Sequence, residues 1–397
     1  MIMAKKVRLF PTKEQEQQMW KSANVARWAY NWALDKQIKH FEATGKLSKI
    51  SDQNLRKELT PLKQTEEYKW LFDVSNNVTK QAIKDLCSAI DRFHDESKKH
   101  GYKYRLSAIK KNEKLTFRDF EDFPRFKKKG KSKVSFYNDT EKLKVFKDEV
   151  HLEKIGRVKI KEKIPINCKY SNPRVSFDGK YWYLTVGIEA SESNEPLNNF
   201  SIGIDVGIKN LAVTSIEEFK FSNINKTKKL KKLEKKLKRL KRKVSNKYEK
   251  NKKGGSYQKT SNIKRLERQI KLVFRKLNGI RKNHLHQATN KIVKTKPSKV
   301  VMETLNIKGM MKNKHLSKAI QQQGLYEFKR QIIYKCEFNG IEFVEADKWY
   351  PSSKTCSHCG NVKNNLSLSE RIYICEECGW VIDRDYNAAI NLSRYSA

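Results

Sequence analysis

FSIGIDVGIKNLAVTS, residues 200–215, reads as two apolar strands on either side of a tight turn. The first strand carries an acid near its end: Asp205 lies between Ile204 and Val206, with Gly207 and Lys209 in the turn that follows. A carboxylate among apolar neighbours is costly unless something cationic meets it. The pattern returns downstream. SKVVMETL, residues 298–305, reads as a buried strand holding Glu303 near its end, and DRDYNAAINL, residues 383–392, sets Asp383 and Asp385 where a short helix begins.

Singly, each acid has an ordinary reading: Asp205 as a turn residue, Glu303 as a strand-end charge, Asp383 or Asp385 as a helix N-cap. In this order, around a basic insert, they are the hard oxygen ligands that a two-metal phosphodiesterase needs. Such a site holds two Mg²⁺ ions roughly 4 Å apart, one activating water and the other stabilising the leaving oxygen.

Between the second and third acids lie two knuckles, Cys356-Ser-His-Cys359-Gly and Cys375-Glu-Glu-Cys378-Gly, with fifteen residues between them. Zinc takes four tetrahedral sulfur ligands, and two CxxC turns supply them, with Gly360 and Gly379 relaxing the backbone so that amides can point at the sulfurs. One structural Zn²⁺ is expected. His358 reads as a solvated or phosphate-facing side chain, and Cys87, Cys168 and Cys336 as core thiols. The N-terminal MIMAKKVRLFPTKEQ has no apolar centre for a signal peptide, and no stretch approaches the roughly 18 apolar residues of a membrane span. The expectation is a cytoplasmic protein without a membrane partner, in which clustered cysteines hold metal rather than disulfides.

Charge points to the partner. In 397 residues, 86 Lys and Arg against 44 Asp and Glu leave +42, a self-repulsion that a polyanion relieves, and nucleic acid is the default polyanion. From Lys226 to Lys243 there are twelve Lys or Arg and one Glu. Lys231, Lys232, Lys235, Lys238 and Arg239 in this run are candidates for contacts with the nucleic-acid backbone. FPRFKKKGKSKVSFYN, residues 123–138, interleaves Lys127, Lys128 and Lys129 with Phe123, Phe126, Phe136 and Tyr137, rings that suit either base stacking or a β core.

Elsewhere the periodicities are plain. KKVRLFP is a short strand stopped by Pro11, and a helix follows with Thr12 and Gln15 at capping-box spacing. A second helix is expected over about Ser75 to Lys98. RVSFDGKYWYLTVGIE is a hairpin turning at Asp178-Gly179, within a β-rich stretch from about Phe117 to Ala190. Leu230, Leu233, Leu237, Leu240 and Val244, and then Ile263, Leu266, Ile270, Val273, Leu277 and Ile280, form a heptad seam. The Gly254-Gly255 loop between them suggests an antiparallel helical hairpin. IEFVEADKWY contains one more strand.

The sequence resembles the TnpB (OrfB) family of insertion-sequence proteins, compact RNA-guided DNA endonucleases related to type V CRISPR effectors and the Fanzor proteins. VRLFPTKEQ, ARWAYN, GIDVGIKNLAV, VVMETLNIKGM, YPSSKTCSHCG, CEECG and DRDYNAAINL carry the resemblance across nearly the whole chain. It implies an α+β multidomain protein, with a wedge-like β-barrel (residues 1–10 and 110–195) and a helical recognition domain (11–109). An RNase H-like RuvC nuclease (196–350 and 381–397) follows, interrupted by a helical hairpin (about 225–295) and a zinc ribbon that binds target nucleic acid (351–380). Residue by residue, the family's catalytic acids fall on Asp205, Glu303 and Asp385, the last because its pattern Asp-x-Asn-Ala-Ala begins at 385; Asp383 is then a support or cap. Arg27, Tyr30 and Asn31 match a motif of the recognition lobe.

The resemblance also implies partners: a guide RNA from the transposon end, one protein chain per guide, and a double-stranded DNA target beside a short flanking motif, with nucleoid association when target is bound. A miniature CRISPR effector with an array-derived guide would share this chemistry. An RNA-guided DNA-binding repressor without nuclease activity would require loss of an acid, and none is missing here.

Overall fold

The computed structural model describes residues 2–44, 49–99, 120, 122–189, 195–363, 365–367 and 369–396. The chain divides into two compact units, Ile2–Ala190 and Ser191–Ala397. Residues 110–119, 121 and 190–194 of the expected barrel segment lie outside the described residues.

In the first unit, strand β1 (Ile2–Phe10) runs into helix α1 (Lys13–Thr44), and α2 (Asp52–Leu62) and α3 (Asn76–Lys99) follow. The start of α1 is a capping box: the Gln15 amide N–H donates to Thr12 Oγ1 at 3.2 Å while Thr12 N–H donates to Gln15 Oε1 at 3.0 Å. Six further strands are β2 (Val134–Tyr137), β3 (Lys144–Val145), β4 (Glu149–Leu152), β5 (Gly156–Ile160), β6 (Tyr170–Phe177) and β7 (Trp182–Glu189). They join β1 in an antiparallel sheet of order β2-β6-β7-β1-β5-β4-β3. The β6–β7 turn forms at Asp178-Gly179: the Asp178 carboxylate accepts N–H bonds from Lys180 and Tyr181, and Gly179 takes a positive φ of 99°. Alternate residues Trp182, Leu184, Val186 and Ile188 of β7 enter a core shared with Met19, Ala23 and Ala26 of α1 and with Ile83 and Leu86 of α3.

The second unit is built on a five-stranded sheet. Strands β8 (Asn198–Val206), β9 (Asn210–Thr214) and β10 (Lys220–Ser222) form antiparallel hairpins. Between them and the next sheet strand lie α4 (Lys228–Lys250), a small β11 (Lys252–Lys253) and β12 (Ser256–Tyr257) ribbon, and the 33-residue α5 (Ser261–Val293). Strand β13 (Pro297–Glu303) then returns parallel to β8. Helices α6 (Ile307–Met310), α7 (Ser317–Gln323) and α8 (Leu325–Phe338) lead to β14 (Glu342–Ala346), parallel to β13. The order β10-β9-β8-β13-β14 is 3-2-1-4-5 in order of appearance. The chain ends in β15 (Ile372–Ile374), β16 (Val381–Asp383) and α9 (Arg384–Ser393).

This topology decides where the acids go. In the parallel register Ile204 pairs with Met302, so the next residues, Asp205 and Glu303, stand side by side near the carboxyl ends of the two strands. Side chains alternate faces along a strand. Ile202, Ile204, Val300 and Met302 pack on Leu285 and Ile292 of α5 and Phe328 and Ile332 of α8. Val301 packs on Leu392 of α9, so the opposite face, which Asp205 and Glu303 share, meets α9.

The α4–α5 hairpin is antiparallel: Tyr248 Oη donates to Glu267 at 2.8 Å near the tip, and Arg281 Nη2 donates to Glu234 at 2.6 Å near the base. Its seam is the expected one, with Leu230, Leu240, Leu266, Val273 and Leu277 buried. Helix α5 continues beyond the seam and puts Leu285, Ala288, Ile292 and Val293 into the sheet core.

Helix α9 approaches β8 so closely that only glycine fits beneath it. A Cβ on Gly203 would lie 2.0 Å from the carbonyl oxygen of Ala389 and 2.4 Å from the amide nitrogen of Ser393. Gly203→Ala is therefore expected to destabilise the second unit by about 1–3 kcal/mol through forced displacement of α9. Denaturant unfolding checks it, and an unchanged midpoint would mean that α9 does not rest there.

Candidate active site

Asp205 is the most perturbed acid of the second unit. Burial lifts its carboxyl well above the usual carboxylate range, the charges of Glu303 and Asp385 lift it further, and Arg384 opposes them. The three sequence-predicted acids are thus brought together, Asp205 and Glu303 from neighbouring strand ends and Asp385 from the first turn of α9. Glu303 accepts a 2.6 Å hydrogen bond from Ser352 Oγ. Asp385 is held by Arg384 at 2.9 Å, with Arg371 at 3.9 Å.

Asp383 has a different task. As N-cap of α9 its carboxylate accepts the N–H groups of Asp385 and Tyr386 at 3.0 and 3.1 Å, and it pairs with Lys220 at 3.1 Å. Burial pushes its carboxyl up, but the Lys220 bond and these amides hold it below the usual range. One aspartate of DRD starts the helix; the other is aimed by it.

The turn after Asp205 is fastened by two buried amides that carried no signal in the sequence. Gln323 Nε2 donates to the Gly207 carbonyl at 3.0 Å and Asn223 Nδ2 to the Ile208 carbonyl at 2.7 Å. The same network reaches the base of the α4–α5 hairpin, where Arg281 Nε donates to Asn225 at 2.7 Å and Gln322 Nε2 to Glu234 at 2.8 Å.

The four cysteines form a second centre. Cys356 and Cys378 Sγ are 3.7 Å apart, Cys359 and Cys375 Sγ 3.6 Å apart, and all four sulfurs lie within 4.8 Å of one another. A tetrahedron with metal–sulfur bonds of about 2.3 Å has edges of about 3.8 Å, so the quartet fits Zn²⁺. The amide of Cys378 donates to the Cys375 sulfur and is the main cause holding that thiol down at about 6. Gly360 and Gly379 close the two knuckles at φ 82° and 67°. His358 is no ligand: its ring stacks on Trp380, centroids 5.1 Å apart. Among the described residues no other group of three or more Cys, His, Asp or Glu converges so tightly, so the acids are spaced more widely than the sulfurs. Hard carboxylate oxygens gathered in one half-buried cluster still suit Mg²⁺.

Helix α9 joins the two centres. Fully buried Asn387 accepts the Ser357 N–H at 2.9 Å and donates to the Thr355 carbonyl at 2.7 Å, and Asn391 Nδ2 donates to the Ser352 and Thr355 carbonyls. One helix therefore aims Asp385 and clamps the first cysteine knuckle.

The basic candidates divide. On α4, Lys231, Lys232, Lys235, Lys238 and Arg239 are exposed, and among the described residues none has an acidic partner. In the first unit, Lys128 and Lys129 are exposed and Arg27 is half-buried. Tyr30 is buried beneath Lys127, whose Nζ lies 3.5 Å from the ring centroid, and Asn31 spends its amide on both backbone groups of Lys127, at 2.8 and 3.0 Å. These three residues pack against one another. Phe123 and Phe136 are core, while Phe126 is exposed.

Three family models match: a "Helix-turn-helix domain" of OrfB proteins over residues 1–46, a "Probable transposase" model of the same family over 183–314, and a "Cas12f1-like, TNB domain" over 326–392. The chain is similar to the OrfB (TnpB) family over these spans. Within the span matched as helix-turn-helix, this chain forms a strand and one long helix, α1. A relative from Streptomyces pristinaespiralis named "Putative RNA-guided DNA endonuclease" is 28% identical, over 98% of this chain and 87% of the relative. InsQ of Escherichia coli, named in the same words, is 27% identical over 98% and 91%. A solved structure titled as a mini-RNA-guided endonuclease, CRISPR-Cas phi3, covers 99% of this chain and 92% of its own at 10% identity and a TM-score of 0.47, a likeness too loose to bear on the site.

Asn387→Ala leaves the Ser357 amide buried without its acceptor and is expected to cost about 1–3 kcal/mol and to expose the first knuckle loop to limited proteolysis. Unaltered stability and protease resistance would show that the knuckle is held by something else.

Proposed function

We propose that this chain is an RNA-guided, Mg²⁺-dependent DNA endonuclease of a transposable element, cutting beside a short flanking motif. In this reading residues 196–350 and 381–397 are its RuvC nuclease domain. The observation that carries it is the meeting of Asp205, Glu303 and Asp385, where Glu303 and Asp385 raise the cost of the charge on Asp205. Such a cluster is unfavourable for folding alone and favourable once cations fill it. The 3-2-1-4-5 sheet order, with the first acid on its central strand, supports an RNase H-like fold. The names of the relatives support the guided endonuclease. No described helix is long and apolar enough to cross a membrane.

When bound, two Mg²⁺ ions supply a nucleophilic hydroxide at neutral pH and neutralise charge on the leaving oxygen. The chain's own residues do the rest. Asp205, Glu303 and Asp385 present the oxygens; Ser352 fixes the direction of Glu303, and Arg384 that of Asp385. Gln323 and Asn223 hold the turn behind Asp205. Cys356, Cys359, Cys375 and Cys378 would hold one Zn²⁺ and so keep residues 351–380, as a target-binding ribbon, folded against α9. The exposed lysines of α4 would bind the backbone of guide RNA or its hybrid with DNA, and pairing with the guide would supply sequence specificity. The wedge-like barrel and recognition domain are assigned to residues 1–10 with 110–195 and to residues 11–109.

Asp205→Asn, Glu303→Gln and Asp385→Asn are each expected to lower the cleavage rate at least about 1,000-fold while leaving guide and target binding within about twofold, because ligand loss spares the basic surfaces. Asp205→Asn should also raise the metal-free melting temperature, since it removes a half-buried charge that Glu303 and Asp385 oppose. Asp383→Ala should keep most activity and lose only a helix cap. An essential Asp383 beside a dispensable Asp385 would overturn the assignment.

Replacing Lys231, Lys232, Lys235, Lys236, Lys238 and Arg239 together by Gln should weaken binding equally for all guide sequences. It should also flatten the dependence of log Kd on log salt by roughly 0.7–0.9 per lost contact. Parallel lines for the two proteins would make the lysine face a merely solvated one.

A further inference from the structure

The loop between β14 and the first cysteine knuckle is pinned to Glu303 at both ends. Ala346, the last residue of β14, stands opposite Glu303 in the parallel register, and its carbonyl accepts Thr304 Oγ1 at 2.8 Å. Six residues on, Ser352 donates to the Glu303 carboxylate. Between these anchors the backbone is tied down. The Asp347 carboxylate accepts the Trp349 N–H at 2.7 Å, and the Asp347 carbonyl accepts the Tyr350 N–H at 3.1 Å. Asp347 N–H donates to Tyr395 Oη at 3.2 Å; Tyr350 meets the Tyr395 ring edge-on at 4.8 Å and donates to the Asn391 carbonyl of α9.

On this rigid loop Trp349 is 81% exposed, more than any other large hydrophobic side chain among the described residues. It stands three positions along the chain from each anchor, so its Cα lies no more than about 11 Å from the Cα of Ala346 and of Ser352. Lys348 Nζ sits 4.6 Å from the indole centroid. An indole that finds a cover buries about 150–250 Å², and here it is held in water on the loop anchored at Glu303 with a cation at its face. That pairing of flat ring and ammonium matches an unpaired nucleotide, the base for the ring and the phosphate for the lysine. A base in a duplex keeps its faces stacked and offers none.

We propose that Trp349 is the platform on which a nucleobase of the strand being cut stacks, so that the adjoining phosphate is presented to Glu303, Asp205 and Asp385. The proposal rests on the nuclease reading above. Because every base has a π-face, the platform tolerates any sequence, as a guide-programmed enzyme requires.

The test uses the full guide complex with Trp349→Ala and Trp349→Phe, single-turnover cutting, and targets in which one abasic nucleotide is walked through the positions around the cut. Wild type is expected to slow about tenfold at one abasic position. The Ala variant should be about tenfold slow on the intact target with no further loss at that position, and Phe should restore most of the rate. Melting temperature and target affinity should not move. An Ala variant that cuts at the wild-type rate, or that keeps the wild-type abasic profile, overturns the platform. A second arm needs no cutting: a single-stranded DNA oligonucleotide should quench the emission lost in Trp349→Phe, and a duplex should not. Absence of that quenching overturns the platform; quenching in a wild-type protein that never cuts overturns only the nuclease reading.

Discussion

Asp205 sits where a carboxylate is least comfortable. It is half-buried at the end of an apolar strand, two more acids face it, and Arg384 only partly offsets them. Arginine pairs or water would have met that need at less cost to the fold. The protein instead concentrates charge of one sign at the carboxyl ends of β8 and β13, a charge that the divalent cations proposed above would relieve.

The scaffold follows from that need. Parallel pairing of β8 with β13 sets Asp205 beside Glu303, and the third acid must arrive from outside the sheet. Helix α9 delivers it, and the bare backbone of Gly203 lets it come close enough. The segment before α9 is the cysteine ribbon, whose first knuckle hangs on Asn387 and Asn391 of the same helix. The first knuckle and Asp385 thus share one helix, while Ser352, four residues before the first cysteine, touches Glu303 directly.

Much of this was legible in the sequence because the signals are local. A capping box, an Asp-Gly turn, a heptad seam and two CxxC knuckles each declare themselves within a few residues. The acids were legible as a set, since charge ending an apolar strand violates the pattern around it. Long-range packing was not. Tyr30 and Asn31 match a recognition motif and carry the polar groups of a binding site, yet they close on Lys127, 96 residues from Asn31. Helix α8 was not read from the sequence although Leu325, Phe328, Ile332 and Cys336 repeat at helical spacing, because the polar residues between them, Glu327, Lys329, Arg330 and Gln331, interrupt the stripe. Gln323, Asn223 and Ser352 support the site through amide and hydroxyl groups that abound on any surface, and only their burial and partners single them out.

The central claim is that the acid cluster is a two-cation site. Crystals of the protein grown with Mn²⁺ in place of Mg²⁺ and measured at the manganese absorption edge test it most directly. Two anomalous peaks about 4 Å apart among Asp205, Glu303 and Asp385 are predicted, with a separate zinc-edge peak inside the cysteine quartet. Manganese density absent from the three carboxylates at saturating Mn²⁺, with the cysteine site filled, would contradict the account.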